Sequence, residues 1–100
     1  MNKSRKTTIM LTQENYKKIT ELSRRLALSK SAALRLLISN VVKNKIKLKQ
    51  TKDKKEVRFT FVSAKDYPHF QQLQKEYKDM NVTELLNNVI ATSYQSFKIF

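Results

Sequence analysis

The stretch TTIMLTQENYKKITELSRRLALSKSAALRLLI, residues 7–38, contains the hydrophobic periodicities that decide the fold. At its start the residues alternate between two faces, with Ile9 and Leu11 on the apolar face, which predicts a half-buried strand. Apolar residues then recur at helical spacing in two stripes, Tyr16, Ile19, Leu22 and Leu26 and then Leu34, Leu37, Ile38 and Val41. The pattern therefore predicts one strand followed by two amphipathic helices.

The second half of the chain repeats this order of elements, beginning with an alternating segment over residues 57–62. The stripes return 51 and 52 residues later, as Tyr67, Phe70, Leu73 and Tyr77 and as Leu86, Val89, Ile90 and Ser93, with Phe97 one turn on. We therefore divide the chain into a first repeat (1–42), a Lys-rich linker (43–55) and a second repeat (56–100). Within the linker, Ile46 and Leu48 can extend the preceding helix or form a short strand, but the charge of the segment favours a solvated connection.

Side chains that accept hydrogen bonds from free helix amides precede three of the predicted helices: Thr12 the first, Ser29 or Ser31 the second, and Asn81 or Thr83 the fourth. Before the third helix, Ser63 with Asp66 resembles a capping box, although Pro68 suggests that the helix starts at Asp66.

A single strand followed by two helices leaves its backbone groups without partners. Two copies solve this by pairing their strands antiparallel, either within one chain or between two chains, and tethering favours the intrachain pair. The register of the second strand is ambiguous, because counting back from the third helix at an offset of 51 turns Thr60 and Val62 inward. That register exposes Phe59 and Phe61, so we predict that both phenylalanines face the core.

Composition excludes several classes of function. The chain has no cysteine and no glycine, which rules out thiolate metal sites, disulfides and glycine-dependent phosphate loops. His69 is the one histidine and has no acidic cluster around it, so we expect no metal, no cofactor and no catalytic residues. No apolar run approaches the roughly 20 residues of a membrane span. The N-terminus is polar, and we expect a cytoplasmic protein without a membrane partner.

The net charge of +13 is unevenly distributed and favours a polyanionic partner. Residues 1–42 carry a net charge of +7 and residues 43–55 a net charge of +6. Residues 56–100 carry five basic and five acidic side chains and are neutral. We therefore expect the first repeat and the linker to supply most of the affinity for phosphates.

The quoted stretch resembles the ribbon-helix-helix family of DNA-binding proteins (Arc, MetJ and CopG type), most distinctively at Leu28–Ala32. Ala27 replaces the glycine that usually precedes this turn. The second half resembles the family more loosely, through its strand, its stripes and the MNVTELL turn. The resemblance implies a mainly α fold with a short β-ribbon, arranged β-α-α-β-α-α as a tandem, intramolecular pseudo-dimer. Tandem single chains of this kind resemble the TraY type, an accessory protein of plasmid conjugation.

The resemblance also implies that the outer face of the ribbon reads base edges in the major groove of double-stranded DNA. The expected base-reading residues are Lys6, Thr8 and Met10 on the first strand and Arg58, Thr60 and Val62 on the second. Phosphates are expected to bind backbone amides where the second and fourth helices begin, near Ser29, Lys30, Ser31, Val82 and Thr83. Lys3, Arg5 and the linker lysines are expected to add backbone contacts.

Several functions share this chemistry. The first is a transcription regulator, a repressor encoded by a plasmid or other mobile element, which self-associates on adjacent DNA sites. The second is a relaxosome accessory protein that marks a transfer origin for a relaxase. A protein-interaction module such as an antitoxin requires a toxin-binding tail, and only three residues follow Phe97. A fourth alternative is a non-specific nucleic-acid coating protein. An enzyme is not expected.

Overall fold

The structure is a computed structural model that describes residues 4–48, 54–64 and 66–97. The element order is β1 (Ser4–Thr12), α1 (Gln13–Leu26), α2 (Lys30–Lys43), β2 (Lys55–Ala64), α3 (Pro68–Glu76) and α4 (Val82–Ser93). A short 3₁₀ helix, η1 (Tyr94–Phe97), follows α4. The fold is mainly helical with one two-stranded antiparallel sheet, as predicted. Among the described helices, none has the length and apolar character needed to cross a bilayer.

β1 and β2 pair within the chain, and Thr8 lies opposite Thr60 at the middle of the ribbon. The inner face carries Ile9 opposite Phe59, while Phe61 lies opposite Thr7. Both phenylalanines and Ile9 are buried, which confirms the predicted orientation of the second strand. The register alternative that exposes them is wrong, because a one-residue slip would move these aromatic side chains from the core into water.

The four helices cover the inner face of the ribbon and form one core with it. The second stripe of each half is fully buried, and Leu34, Leu37 and Ile38 lie against the same core as Leu86, Val89 and Ile90. In the first stripe, Ile19 and Leu22 are buried but Leu26 is 36% exposed. Leu26 is the last residue of α1, where the chain turns away from the core, and this explains its exposure.

Three of the four helix starts contain the predicted caps. The side chains of Thr12, Ser29 and Asn81 accept hydrogen bonds from the backbone amides of the third residue that follows each of them. The prediction for the third helix is wrong in both its forms. α3 begins at Pro68, after Tyr67, which makes no side-chain cap, and the proline ring fits there because the first helical amides need no partner in the helix.

α1 is followed by Ala27, which adopts a left-handed conformation with φ 55° and ψ 43° and caps the helix. The amide of Leu28 donates to the carbonyl of Ser23 over 2.9 Å, and that of Ala27 donates to Arg24, which together form a Schellman motif. Glycine usually occupies this position because it has no Cβ to clash with the following carbonyl.

Ala27→Gly is therefore expected to stabilise the protein by about 0.5–1 kcal/mol, after the greater freedom of glycine in the unfolded chain is subtracted. Urea unfolding measures this difference. Ala91→Gly, within α4, is the matched control and is expected to destabilise the protein by about 1 kcal/mol. A loss of stability on Ala27→Gly would contradict the left-handed assignment.

The solvated character predicted for the whole linker is wrong for its first residues. Lys45 also adopts a left-handed conformation, and the amide of Ile46 donates back to the carbonyl of Val41. The chain therefore folds onto the core, where Leu48 is buried and its amide donates to the Tyr77 hydroxyl over 3.1 Å. Lys45 and Lys47 are exposed, whereas Ile46 is half-buried and Leu48 is buried. The alternation of lysine with apolar residues therefore places the lysines in solvent and the apolar side chains against the core. Residues 49–53 lie outside the described residues.

A cluster of polar contacts ties η1 in the second half to α1 in the first. The Tyr94 hydroxyl donates to a Glu21 carboxylate oxygen over 2.7 Å, and Arg25 bridges the other oxygen of Glu21 and the Phe97 carbonyl, each over 2.6 Å. These contacts hold the pKa of Glu21 below its ordinary value. The hydrogen bond from Tyr94 makes the largest contribution, and the hydrogen bond from Arg25 makes the next largest.

Tyr94→Phe removes the larger of these two contributions while keeping the aromatic ring. The pKa of Glu21 is expected to rise towards its ordinary value in this variant, as measured by NMR titration of the side-chain carboxyl carbon. An unchanged pKa would show that the Tyr94 hydroxyl does not bind Glu21 in solution.

Candidate nucleic-acid interface

The outer face of the ribbon carries three cross-strand pairs that contain all six predicted base-reading residues. Lys6 lies opposite Val62, Thr8 opposite Thr60, and Met10 opposite Arg58. The two basic side chains and the two threonines are exposed, whereas Met10 and Val62 are half-buried. The structure thus brings the six residues together on one surface.

The order of these side chains is the same when the face is viewed from either strand. Reading along β1 gives Lys6, Thr8 and Met10, and reading along β2 gives Arg58, Thr60 and Val62. The corresponding residues are 52 positions apart, and the central pair Thr8–Thr60 lies where a two-fold axis relating the strands would pass. Each end of the ribbon therefore presents one cation next to one apolar side chain.

The spacing of the cations matches the spacing of base pairs. Lys6 and Met10 are four residues apart on β1, and Arg58 lies opposite Met10. At a rise of about 3.4 Å per strand residue, the Cα atoms of Lys6 and Arg58 are separated by about 14 Å along the ribbon, which is the length of about four base-pair steps. Two strands about 4.8 Å apart, with their side chains, fit a major groove about 12 Å wide.

The start of α2 lies at the edge of β2. Ser29 caps the helix by accepting from the amide of Ala32, and Lys30 extends over the Tyr16 ring, 5.0 Å from its centroid, with its Nζ 3.2 Å from the Tyr16 hydroxyl. The first turn, residues 30–33, contains no carboxylate. Ser31 accepts a hydrogen bond from the Val62 amide over 2.9 Å. Its hydroxyl therefore holds the helix against the ribbon, so at Ser31 an anion would be bound through the backbone.

The start of α4 lies beside β1 and differs in charge. Asn81 caps this helix by accepting from the amide of Glu84 over 2.8 Å, and its side chain also donates to the Glu84 carboxylate. Val82 and Thr83, the predicted anchors, are half-buried in the first turn. The carboxylate of Glu84 occupies the turn whose dipole would otherwise attract a phosphate. The two helix starts are therefore electrostatically unequal.

Two residues that the sequence interpretation missed fix the helices to the ribbon edges. On the β2 edge, the guanidinium of Arg35 donates to the Val62 carbonyl. On the β1 edge, the Asn87 side chain donates to the Met10 carbonyl over 2.9 Å and accepts from the Thr12 amide over 3.0 Å. Helical periodicity alone gives no reason to single out either residue. The available signal was their separation of 52 positions, which is that of the strands.

The remaining predicted contacts lie at the margins. Arg5 is exposed near the start of β1, and Lys3 lies outside the described residues. At the other end, the acidic Glu56 is paired with Lys54 over 3.1 Å and accepts from Gln13. Within the described ranges, no group of three histidine, cysteine or acidic side chains is placed to hold a metal ion.

Comparisons of this chain with protein-family models, with curated protein sequences and with solved structures give no match.

Proposed function

We propose that this protein binds double-stranded DNA at specific sites and that the outer face of its ribbon reads bases in the major groove. The observation that carries the proposal is the matched series on that face, Lys6, Thr8 and Met10 against Arg58, Thr60 and Val62, centred on the Thr8–Thr60 pair. The cations suit guanine O6 and N7, threonine suits several edges, and the apolar side chains suit the thymine methyl group.

The fold that supports this function best is a tandem ribbon-helix-helix unit, in which one chain supplies both halves of a pseudo-dimer. The intrachain pairing of β1 with β2 and the common offset of 52 residues support this arrangement. Because Lys and Arg, and Met and Val, differ in length and hydrogen bonding, the preferred DNA site is expected to be asymmetric rather than a perfect palindrome.

Within this function, a repressor of a plasmid or other mobile element is our first candidate. Binding of a ribbon in the major groove of a promoter excludes other proteins from the same site. A relaxosome accessory protein at a transfer origin uses the same surface, and the tandem form favours it. Co-purification with a relaxase would distinguish the second role from the first.

Competitor titration at physiological salt tests site-specific binding against non-specific coating. A labelled duplex carrying the preferred site is bound, and unlabelled specific or scrambled duplex is added. The specific competitor is expected to be effective at a concentration roughly a thousandfold lower than the scrambled one. Equal competition by both duplexes would support the coating alternative.

Glu84→Gln is expected to raise affinity for duplex DNA about twofold to fivefold at low salt, because it removes a carboxylate from a helix start beside the ribbon. Fluorescence anisotropy over a range of salt concentrations measures the change. Glu76→Gln at the end of α3 is the matched control, since it changes the net charge equally. Equal gains in both variants would show that only the total charge matters.

A further inference from the structure

The contacts that close the two ribbon edges differ in chemistry although they occupy corresponding positions. The side chain of Arg35 in α2 donates a hydrogen bond to the Val62 carbonyl, and that of Asn87 in α4 donates to the Met10 carbonyl. The two donors are 52 residues apart, and so are the two carbonyls. In each case a helix of one half donates a hydrogen bond to the edge of the strand that belongs to the other half. The pairing of the halves is therefore reciprocal, and its two sides can be compared residue by residue.

On the β1 side, the closing residue acts as both donor and acceptor. Asn87 is 0% exposed, and its Oδ1 accepts from the Thr12 amide over 3.0 Å and from Nδ2 of Asn15 over 2.9 Å. Asn15 Nδ2 also lies 3.1 Å from the Asn87 carbonyl oxygen. A carboxamide is suited to this place because it carries donors and an acceptor on one short side chain.

On the β2 side, the closing residue only donates. The Arg35 guanidinium is half-buried and has no acceptor atom. The residue that makes the contact equivalent to that of Asn15 is Tyr67, whose hydroxyl donates to the Arg35 backbone carbonyl over 2.8 Å. This side therefore functions without an acceptor on the closing side chain.

We propose that the Asn15–Asn87 contact is a pairing code that makes each half of the chain select the unlike half. If the first halves of two chains paired, Arg35 would take the place of Asn87. On both sides of the symmetric pair, the buried Thr12 amide would then lose its side-chain acceptor, and Asn15 Nδ2 would keep only a backbone carbonyl oxygen in place of two acceptors. The chain is therefore built to form its ribbon from β1 and β2, and it rejects a like half from a second copy.

Charge acts in the same direction. Residues 1–42 carry a net charge of +7, so pairing two first halves brings together two strongly basic units. Pairing unlike halves places this unit against residues 56–100, which are neutral. Repulsion between like charges therefore disfavours the pairing of two first halves, which the loss of hydrogen-bond acceptors for Thr12 and Asn15 also disfavours.

Cysteine cross-linking distinguishes the two pairings, because the chain contains no cysteine of its own. Thr8 and Thr60 are directly opposite in the observed ribbon. Opposite residues have Cα atoms about 4.5–5.5 Å apart, a separation that a disulfide spans. In a ribbon of two first halves, Thr8 would face the Thr8 of a second chain. Thr8→Cys alone therefore reports like pairing, and Thr8→Cys with Thr60→Cys reports unlike pairing.

The most direct test introduces a side-chain hydrogen-bond acceptor at position 35 of the first half, the position that corresponds to Asn87. In the Thr8→Cys background, Arg35→Asn provides the first half with a carboxamide that satisfies Thr12 and Asn15 of a second chain. Arg35→Met is the matched control, since it also removes the guanidinium but supplies no amide acceptor. Disulfide-linked dimer is measured after equilibration in glutathione buffer without DNA, so the outcome is independent of whether the ribbon reads DNA. Lys78→Cys sets the level of random collision.

We expect Thr8→Cys to dimerise no more than Lys78→Cys, and the Thr8→Cys, Thr60→Cys chain to form an internal disulfide. Arg35→Asn is expected to raise dimer roughly tenfold or more over Arg35→Met, since a symmetric pair regains the acceptor twice. Equal dimer yields for these two variants, or dimerisation of Thr8→Cys well above the Lys78→Cys level, would overturn the pairing code. Circular dichroism of each variant verifies that it is folded before the yields are compared.

Discussion

Arg58→Ala is expected to weaken binding to the preferred duplex by about 1–3 kcal/mol, which is roughly a fivefold to 150-fold loss of affinity. Arg58 is exposed on the outer face of the ribbon, where its planar guanidinium can donate two hydrogen bonds to one guanine. Lys6 occupies the corresponding place on β1 but offers a single ammonium group, so Lys6→Ala is expected to have the smaller effect of the two.

The effect of Arg58→Ala on sequence preference distinguishes base reading by Arg58 from its electrostatic attraction to phosphates. Arg58→Ala should relax the preference at one base position while leaving affinity for scrambled DNA almost unchanged. Arg24→Ala, an exposed arginine at the end of α1, is the matched control for the removed charge. Anisotropy titrations against specific and scrambled duplexes measure both quantities. Equal losses on the two duplexes would assign Arg58 to the phosphate backbone instead.

Asn87→Ala is expected to destabilise the folded chain by about 2–5 kcal/mol, a large part of the roughly 5–15 kcal/mol available to a small domain. The substitution removes the Oδ1 acceptor of the Thr12 amide and of Asn15 Nδ2 in a fully buried place, and Asn15 Nδ2 keeps only the backbone carbonyl oxygen of residue 87. It also frees the Met10 carbonyl at the ribbon edge. Thermal unfolding should shift downwards by roughly 10 °C or more.

Asn88 supplies a matched control one position along the same helix. It is 2% exposed, its Oδ1 has no hydrogen-bond partner among the described residues, and its amide nitrogen lies 3.5 Å from the Met80 sulfur. Asn88→Ala removes equal volume but breaks no strong hydrogen bond, so it is expected to cost clearly less than Asn87→Ala. Equal costs would show that packing, and not the polar network, makes Asn87 important.

The parts of the fold that depend on periodicity were predictable from the sequence. Alternation predicted that Phe59 and Phe61 face the core, and helical spacing predicted the buried stripes that contain Leu37 and Val89, as the structure has them. Both results follow from burial, which acts on each residue according to its position in a strand or helix. The register was decided by the cost of exposing two aromatic side chains.

The parts that depend on contacts between distant elements were not predictable. Asn87 lies between Leu86 and Asn88, and nothing in this local sequence indicates that its side chain accepts hydrogen bonds from Thr12 and Asn15, more than 70 positions earlier. The start of α3 was misplaced because a local match to a capping box competes with the geometry set by Pro68. Leu48 was expected in solvent because the average charge of its segment concealed an alternating pattern.

The two halves contribute unequally to the proposed mechanism. The first half carries the basic charge and a helix start without carboxylates, whereas the second half carries Glu84 at the corresponding helix start. Encounter with DNA and counterion release are therefore expected to depend mainly on the first half and the linker. The second half is expected to contribute Arg58 to base reading, and its Asn87 side chain donates a hydrogen bond to the Met10 carbonyl at the edge of the ribbon.

Selection of bound sequences from a random duplex pool tests site-specific reading by the ribbon most directly. The unmodified chain is predicted to enrich one asymmetric sequence in which the positions read by Lys6 and Arg58 lie about four base pairs apart. The double variant Lys6→Ala, Arg58→Ala is predicted to lose preference at those positions while keeping the fold. The absence of any enriched sequence, or enrichment of the same sequence by the double variant, would contradict reading of DNA by the outer face of the ribbon.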